Sequence, residues 1–406
     1  MSFPSIDINF QNGAIGSVSV SPDGVLGLIC NAEAVGTTFL LNTPYVVKGM
    51  KSVATLGIVD SIPNHKLYKF LQEFYNEAGE GTELWIMGVA RTVKISEVFI
   101  PVNGVAPADK LTNTANGRLR GIITVFNPDN SYTNTIVNGL DSDVVPSITA
   151  AQTYSVNYTN TKKAPIFVLI EGYNFNGTIT ALPDLLLGSD NRVGVLIGDT
   201  EKRTGTTASK GAAMGLLAGR IAKNPVHVKI AKVIDGPVKS DNVYVLDAPV
   251  EEFDTESIHD KGYMTFRQHV GRSGYFFVED HLACDTGDDY HFLVRRRVID
   301  KAYRLAYDVM LDFLQGDFDL NADGTLSPFD ATTIEGNIIR RIASEMTDNG
   351  ELSVDKSNDK DKGVVVKMDL TNNMASNSKL KLEYLRVRPK GYATYIEVPL
   401  GYVPIQ

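Results

Sequence analysis

Two short apolar runs, "APIFVLIEG" (164–172) and "NRVGVLIGD" (191–199), constrain this chain most. A strand buried on both faces reads as a continuous apolar run, because neither side of its pleat meets water. Helical patterns adjoin both runs: "PSITAAQTYSVNYTN" (146–160) precedes the first and "SKGAAMGLLAGRIAK" (209–223) follows the second. Upstream, the helix pattern "PADKLTNTAN" (107–116) leads to the strand pattern "LRGIITVFN" (119–127); downstream, "VHVKIAKV" (226–233) reads as another strand. Such alternation predicts a partly parallel sheet with helices packed on it.

The flanks differ. In the first hundred residues "SIDINF", "GSVSVS", "GVLGLIC", "TTFLL", "ELWIMGVA" and "KISEVFIPV" all read as strands, being short apolar or alternating runs between Gly, Asn and Pro. One helix interrupts them, "NHKLYKFLQEFYNEAG", with Leu67, Phe70, Leu71 and Phe74 on one stripe. In the last third, "YHFLVRRRVIDKAYRLAYDVMLDFLQGD" (290–317) is the longest helix pattern, with Val294, Val298, Ala302, Leu305, Val309 and Phe313 on its apolar face. A second helix carries Ile334, Ile338, Ile342 and Met346. The charged loop "KSNDKDKG" then leads to the strand patterns "VVVKMDL", "KLKLEYLRVRP" and "ATYIEVPLGYV". The expected fold class is mixed α+β and α/β. Residues 1–20 would be an arm, 21–264 a β-rich and α/β portion of one or two subdomains, and 265–406 a domain of two long helices plus a mixed sheet.

The 406 residues carry a formal charge of -9, so no counterion-release affinity draws the chain to nucleic acid. Cys30 and Cys284 stand far apart, which excludes a disulfide framework and fits folding in a reducing cytoplasm. The opening "MSFPSIDINF" has no secretory pattern. No apolar run approaches the ~20 residues that span a bilayer. Neither membrane insertion nor a direct nucleic-acid partner is expected.

Several clusters invite chemistry. "DLNADGTLSPFD" places Asp319, Asn321, Asp323, Thr325 and Asp330 at calcium-loop positions, with Gly324 at the turn. Equally, Ser327 and Pro328 suit the start of a helix and Asp330 its first turn. "GDTEKRTGTTASKGAAMGLLAG" offers glycines between a strand and a helix, a nucleotide-site alternative on the unit 192–222, but its spacing fits neither common phosphate loop. Gly211, Gly215 and Gly219 recur every four residues, which suits close helix packing. His281, Cys284, Asp285, Asp288, Asp289 and His291 match no common zinc spacing; Asp288 or Asp289 could instead cap the following helix. Arg295, Arg296 and Arg297 read either as a grip on an acidic partner or as a wet helix face, with Asp300 and Arg304 pairing four apart. No nucleophile elbow, HExxH helix or kinase-like set is present. The balance points away from an enzyme, and no cofactor is expected.

The order of elements over the last 140 or so residues resembles the C-terminal domain of contractile phage-tail sheath proteins. There, a strand and polar loop ("GYFFVEDHLACDTGDDY") lead to a long Arg-bearing helix, then a Gly-containing turn ("NADGTLSP"), a second helix ("FDATTIEGNIIRRIASEM") and a strand-rich tail. "GAAMGLLAGRIAKNPVHVKIAKV" is similar to the sheath helix and loop upstream. One departure is "VEDHLACDTG", which stands where sheaths commonly carry a Gly-Ala-Arg-Thr-like run. The resemblance implies a virion-tail or injection-machine subunit that polymerises helically with itself, around an inner tail tube protein and between baseplate and tail terminator proteins. It also implies that terminal arms of neighbours complete one small sheet. Ile6, Ile8 and Phe10 near one end, and Ile396, Val398 and Leu400 near the other, alternate as such arm strands would.

Overall fold

The computed structural model describes residues 22–204 and 209–402. The arm residues Ile6, Ile8 and Phe10, with the strand patterns "SIDINF" and "GSVSVS", lie outside the described residues. The chain forms two compact units, one through Asp300 and one from Lys301 onward.

The first unit is built on a six-stranded sheet. Its strands are β1 (Leu26–Asn31), β2 (Tyr45–Val47), β3 (Leu84–Val89), β4 (Gly121–Val125), β5 (Phe167–Glu171) and β6 (Val193–Leu196). Their spatial order is β2-β3-β1-β4-β5-β6. All neighbours are parallel except β2, which runs antiparallel on the β3 edge. Every residue of β1, β3, β4, β5 and β6 is buried, as the apolar runs require.

Four helices serve this sheet: α1 (His65–Ala78), α2 (Pro107–Ala115), α3 (Val144–Lys162) and α4 (Met214–Lys223). Helices α2 and α3 pack together, with Thr112 Oγ1 2.9 Å from the Tyr154 hydroxyl. The predicted stripe of α1 is buried, and each such Leu or Phe contributes roughly 1.5–3 kcal/mol. Against α1 lies α4, and their approach depends on two glycines. A Cβ at Gly215 would sit 2.5 Å from the Phe70 carbonyl oxygen, and one at Gly219 would sit 2.7 Å from Glu77 Cβ. The spacing of Gly215 and Gly219 is therefore a packing device, whereas Gly211 lies before α4, against Glu171.

Three strand expectations fail in the first unit, and in the second "ATYIEVPLGYV" forms no strand among its described residues. "TTFLL" forms only a bridge between Val35 and Phe39; its apolar residues cap the sheet instead, with the Phe39 ring against Gly88. "KISEVFIPV" contains a 3-10 turn, Ser96–Val98, because Ile95, Val98 and Phe99 share one buried side. "VHVKIAKV" forms no strand: Val226 and Ile230 are buried four apart, and Lys229 turns inward to Glu279 at 2.6 Å.

Residues 265–300, assigned from sequence to the C-terminal domain, pack in the first unit. Phe266, Phe277, Leu282 and Leu293 belong to its core. The divide falls inside a long helix, α5 (Leu293–Leu311). Its N-terminus is capped by Asp280, whose Oδ2 accepts the Val294 N–H at 2.8 Å; Asp288 and Asp289, the caps expected from sequence, do not serve. Nor is the Arg run a wet face. Arg296 and Arg297 are buried. Arg296 donates to Asp300 at 2.6 Å, and Arg297 donates to the Ile221 and Asn224 carbonyls at the end of α4.

The second unit holds the end of α5, then α6 (Pro328–Ile342), a turn of π-helix, and two strands, β7 (Val364–Met368) and β8 (Leu382–Val387). Ile334, Ile338, Ile342 and Met346 are buried. Strand β7 alternates, with Val364, Val366 and Met368 buried and Val365 and Lys367 exposed. Among the described residues no helix is long and apolar enough to cross a membrane.

Candidate assembly interface

In a doubly wound sheet ligands bind beyond the carboxyl ends of the strands, where the strand order reverses. Here that point lies between β1 and β4, and the chain fills it. Asn31 Nδ2 donates to the Ala90 and Val93 carbonyls at 2.8 Å each. Its Oδ1 accepts the Asn127 N–H at 3.3 Å, and Asn127 Nδ2 donates to the Pro63 carbonyl at 2.7 Å. Further along the edge, Glu171 accepts the Phe126 N–H at 2.7 Å and the Ala212 N–H at 3.1 Å. The amide just before α4, which a phosphate would need, is therefore held by a carboxylate of the same chain. Asp199 and Glu73 flank Lys69 at 2.5 and 2.9 Å. Burial pulls the Lys69 ammonium down, but its two carboxylates more than offset this and hold it above its ordinary range. Burial likewise pushes the Glu171 carboxyl up. Among its described residues the 192–222 unit thus holds an internal ion network.

The possible metal ligands are scattered or occupied. In the 319–330 loop, Asp323 Oδ1 accepts the N–H and hydroxyl of Thr325 at 3.0 and 2.7 Å. Asp330 Oδ2 accepts the Asp319 N–H at 2.9 Å and the Ser327 hydroxyl at 3.0 Å. Asn321 donates to Thr325 Oγ1 at 2.9 Å. Gly324 takes the turn at φ 81°, and Ser327 caps α6 by accepting the Asp330 N–H at 3.2 Å. The loop is a turn joined to a helix cap.

The second cluster separates in the same way. Cys284 is buried in a bridge to Ser189. Asp285 accepts the Gly287 N–H and Asp288 the Tyr290 N–H, at 2.7 Å each. The Nδ1 of His291 contacts the Asp288 carbonyl at 2.6 Å, and the ring of His281 meets His259 at 3.2 Å. Asp289 joins no such group. Among the described residues no three His, Cys, Asp or Glu side chains form a metal-holding group.

Unsatisfied backbone gathers elsewhere, in the second unit. Strands β7 and β8 pair antiparallel, Val364 with Val387 and Val366 with Leu385. In the same register the Arg388 N–H donates to the Gly363 carbonyl at 2.8 Å. Bonded pairs alternate along an antiparallel ladder, so Val365, Lys367, Tyr384 and Arg386 make the next cross-strand bonds. Val364 and Val366 on β7, and Leu385 and Val387 on β8, turn their N–H and C=O groups outward. No third strand joins either edge among the described residues. One end of the β7 edge is closed, where the Met368 N–H donates to Glu335 Oε1 at 2.7 Å.

Beyond β8 the chain runs on without regular structure to residue 402. The three arm candidates on this tail stand in solvent: Ile396 is 78% exposed, Val398 74% and Leu400 95%. Tyr402 continues their two-residue spacing and is fully exposed. Sequence reasoning missed Tyr402, and it missed Pro399 within the run, although both stand plainly in "ATYIEVPLGYV".

Comparison with known proteins bears on this arrangement. The model described as the DUF2586 N-terminal domain matches residues 3–281, and the DUF2586 C-terminal domain model matches residues 289–404. The chain belongs to the DUF2586 family. Comparison with curated protein sequences finds no match. Solved sheath structures, in contrast, match along nearly all of this DUF2586 chain. The anti-feeding prophage helical sheath in its contracted state superposes with a TM-score of 0.64 at 16% identity, covering 99% of each chain. The PVC sheath complex of an extracellular contractile injection system, also contracted, gives 0.60 at 13% identity over 99% of this chain and 98% of that one. A crystallised sheath tail protein from Desulfitobacterium hafniense gives 0.51 at 10% identity over 90% and 94%. The DUF2586 chain has the contractile-sheath fold, and the resemblance drawn from sequence holds at the level of fold.

Proposed function

We propose that this chain is the structural subunit of a contractile sheath, in a phage tail or a related injection machine. It polymerises helically around an inner tube and contracts to drive that tube through a target envelope. The observation that carries this reading is the unfinished sheet of the second unit beside an exposed apolar tail. A two-stranded sheet alone is marginal in water, and an open edge is a template for a strand from another chain. Ile396, Val398 and Leu400 supply such a strand to a neighbouring copy, and the N-terminal residues Ile6, Ile8 and Phe10 supply a second.

A tail that pairs with the next copy makes a heterologous contact, and a heterologous contact that does not close generates a helix of subunits. Strand links of this kind hold copies together while the compact units repack as rigid bodies between an extended and a contracted lattice. Further partners on this reading are the inner tube protein, the baseplate and a tail terminator, and the site of action is the assembled tail.

Negative-stain microscopy of the purified chain tests the proposal. Tubes or rings with a central channel are expected. Removing residues 391–406 should leave a folded protein that no longer assembles. A full-length chain that stays monomeric at high concentration refutes the reading.

A further inference from the structure

The tail carries a mark that strand pairing alone does not explain. In an extended strand, successive residues direct their N–H and C=O groups to opposite edges. Ile396, Val398, Leu400 and Tyr402 share one edge; Glu397, Pro399 and Gly401 share the other. Pro399 has no N–H and its ring occupies that second edge, which is why proline inside sheets is confined to outer strands. The first edge is intact over the described tail.

We infer that the tail is a one-edged strand: it joins the open sheet of a second copy through the backbone of Ile396, Val398 and Leu400, and it closes that sheet on its Pro399 side. This rests on the sheath reading above and adds the direction of pairing to it. The second copy is the fitting partner on two further grounds. Side-chain parity places Ile396, Val398 and Leu400 on one face, where they extend the buried layer of Val364, Val366 and Met368. The same parity turns Glu397 to the opposite face, which in the receiving sheet carries exposed Arg386, and Lys367 already paired with Glu383 at 2.7 Å. Apolar layer meets apolar layer, and the acid meets Arg386.

A strand added in this way leaves no edge for another to follow. The sheet of each copy then stops growing on that side, as a tube of defined width requires and an open aggregating sheet would not.

Proline substitutions in the full-length chain test the edge. Ile396→Pro removes a donor from the pairing edge, Ile396→Ala removes only the side chain, and Glu397→Pro changes the blind edge. The reading is the concentration at which tubes pellet. Ile396→Pro should raise it at least about ten-fold over Ile396→Ala, the effect of leaving one buried ladder group unpaired. Glu397→Pro should stay within about three-fold of the unaltered chain, since only a surface charge is lost. Thermal unfolding of the unassembled protein should be the same for all three, because the tail is exposed there. Equal impairment by Ile396→Pro and Glu397→Pro overturns the one-edged strand and leaves the sheath reading standing, as does assembly of Ile396→Pro at the Ile396→Ala concentration. An unaltered chain that never assembles overturns the sheath reading itself, and this inference with it.

Discussion

The two units of this protein finish their structures in different ways. In the first, six strands and four main helices surround a switch point whose polar groups are bonded within the same chain. In the second, among the described residues, two strands lie on α6 with both long edges open except where Glu335 closes the Met368 end of β7, and four apolar tail residues stand in water. A closed body can be stable alone, whereas an open one reaches its full set of bonds only in company. Internal pairing and open edges are thus divided between units rather than averaged over the chain.

The comparison breaks most severely if the first unit is not self-sufficient. Glu77 is wholly buried and accepts from Arg220 Nε at 2.5 Å, Lys223 Nζ at 2.6 Å and the Lys239 N–H at 2.9 Å. Glu77→Ala strands the buried Arg220 guanidinium and should cost about 3–5 kcal/mol, read by urea denaturation. A loss below about 1 kcal/mol, the scale of surface pairs, would mean that water reaches this network. Next in size, Gly215→Val drives a side chain into the Phe70 carbonyl and should cost about 1–3 kcal/mol by overpacking. A neutral outcome would show that α1 and α4 can separate.

A subtler test concerns pH. Burial, reinforced by the neighbouring Glu279 charge, pushes the Asp280 carboxyl up from 3.8 to about 7. Glu279, though buried as well, is held down by Lys229. The folded state therefore favours protonated Asp280. The stability this contributes is fully present below 3.8 and is lost as pH rises through about 7. Asp280→Asn should flatten that decline, as judged by urea midpoints across the window. An unchanged slope in the variant would assign the pH dependence to other groups. Smallest of all is the change expected at the tail. Val398→Ser should alter the stability of the unassembled protein by less than about 0.5 kcal/mol while weakening tube formation. A large loss of monomer stability would mean that the tail packs on its own body.

Much of the first unit was legible because its strands are buried on both faces, so composition alone betrays them. The misreadings share one cause: short apolar runs do not say which partner buries them. Phe39 packs down onto Gly88, Ile95 and Val98 sit on one turn, and Lys229 goes inward to Glu279, none of which is a local property. Asp280 went unnoticed as the α5 cap because it lies thirteen residues before Leu293, beyond the reach of any capping pattern. In the tail the signal was open to view. Alternation at 396, 398 and 400 is a period, and Pro399 is a chemical mark, so both can be read without coordinates.

Local chemistry by itself determined the periodicities: the doubly buried strands of the first unit, the apolar stripes of α1 and α6, where Ser327 begins α6, and that four-residue glycine spacing means close helices. Those follow from backbone geometry and side-chain shape within a few residues. Only the tertiary structure decided which carboxylates hold which cations, that the switch point is filled, and that the sheet of the second unit has no third strand among the described residues. These depend on groups brought together from distant parts of the chain, and burial and unpaired edges exist only once the whole has packed.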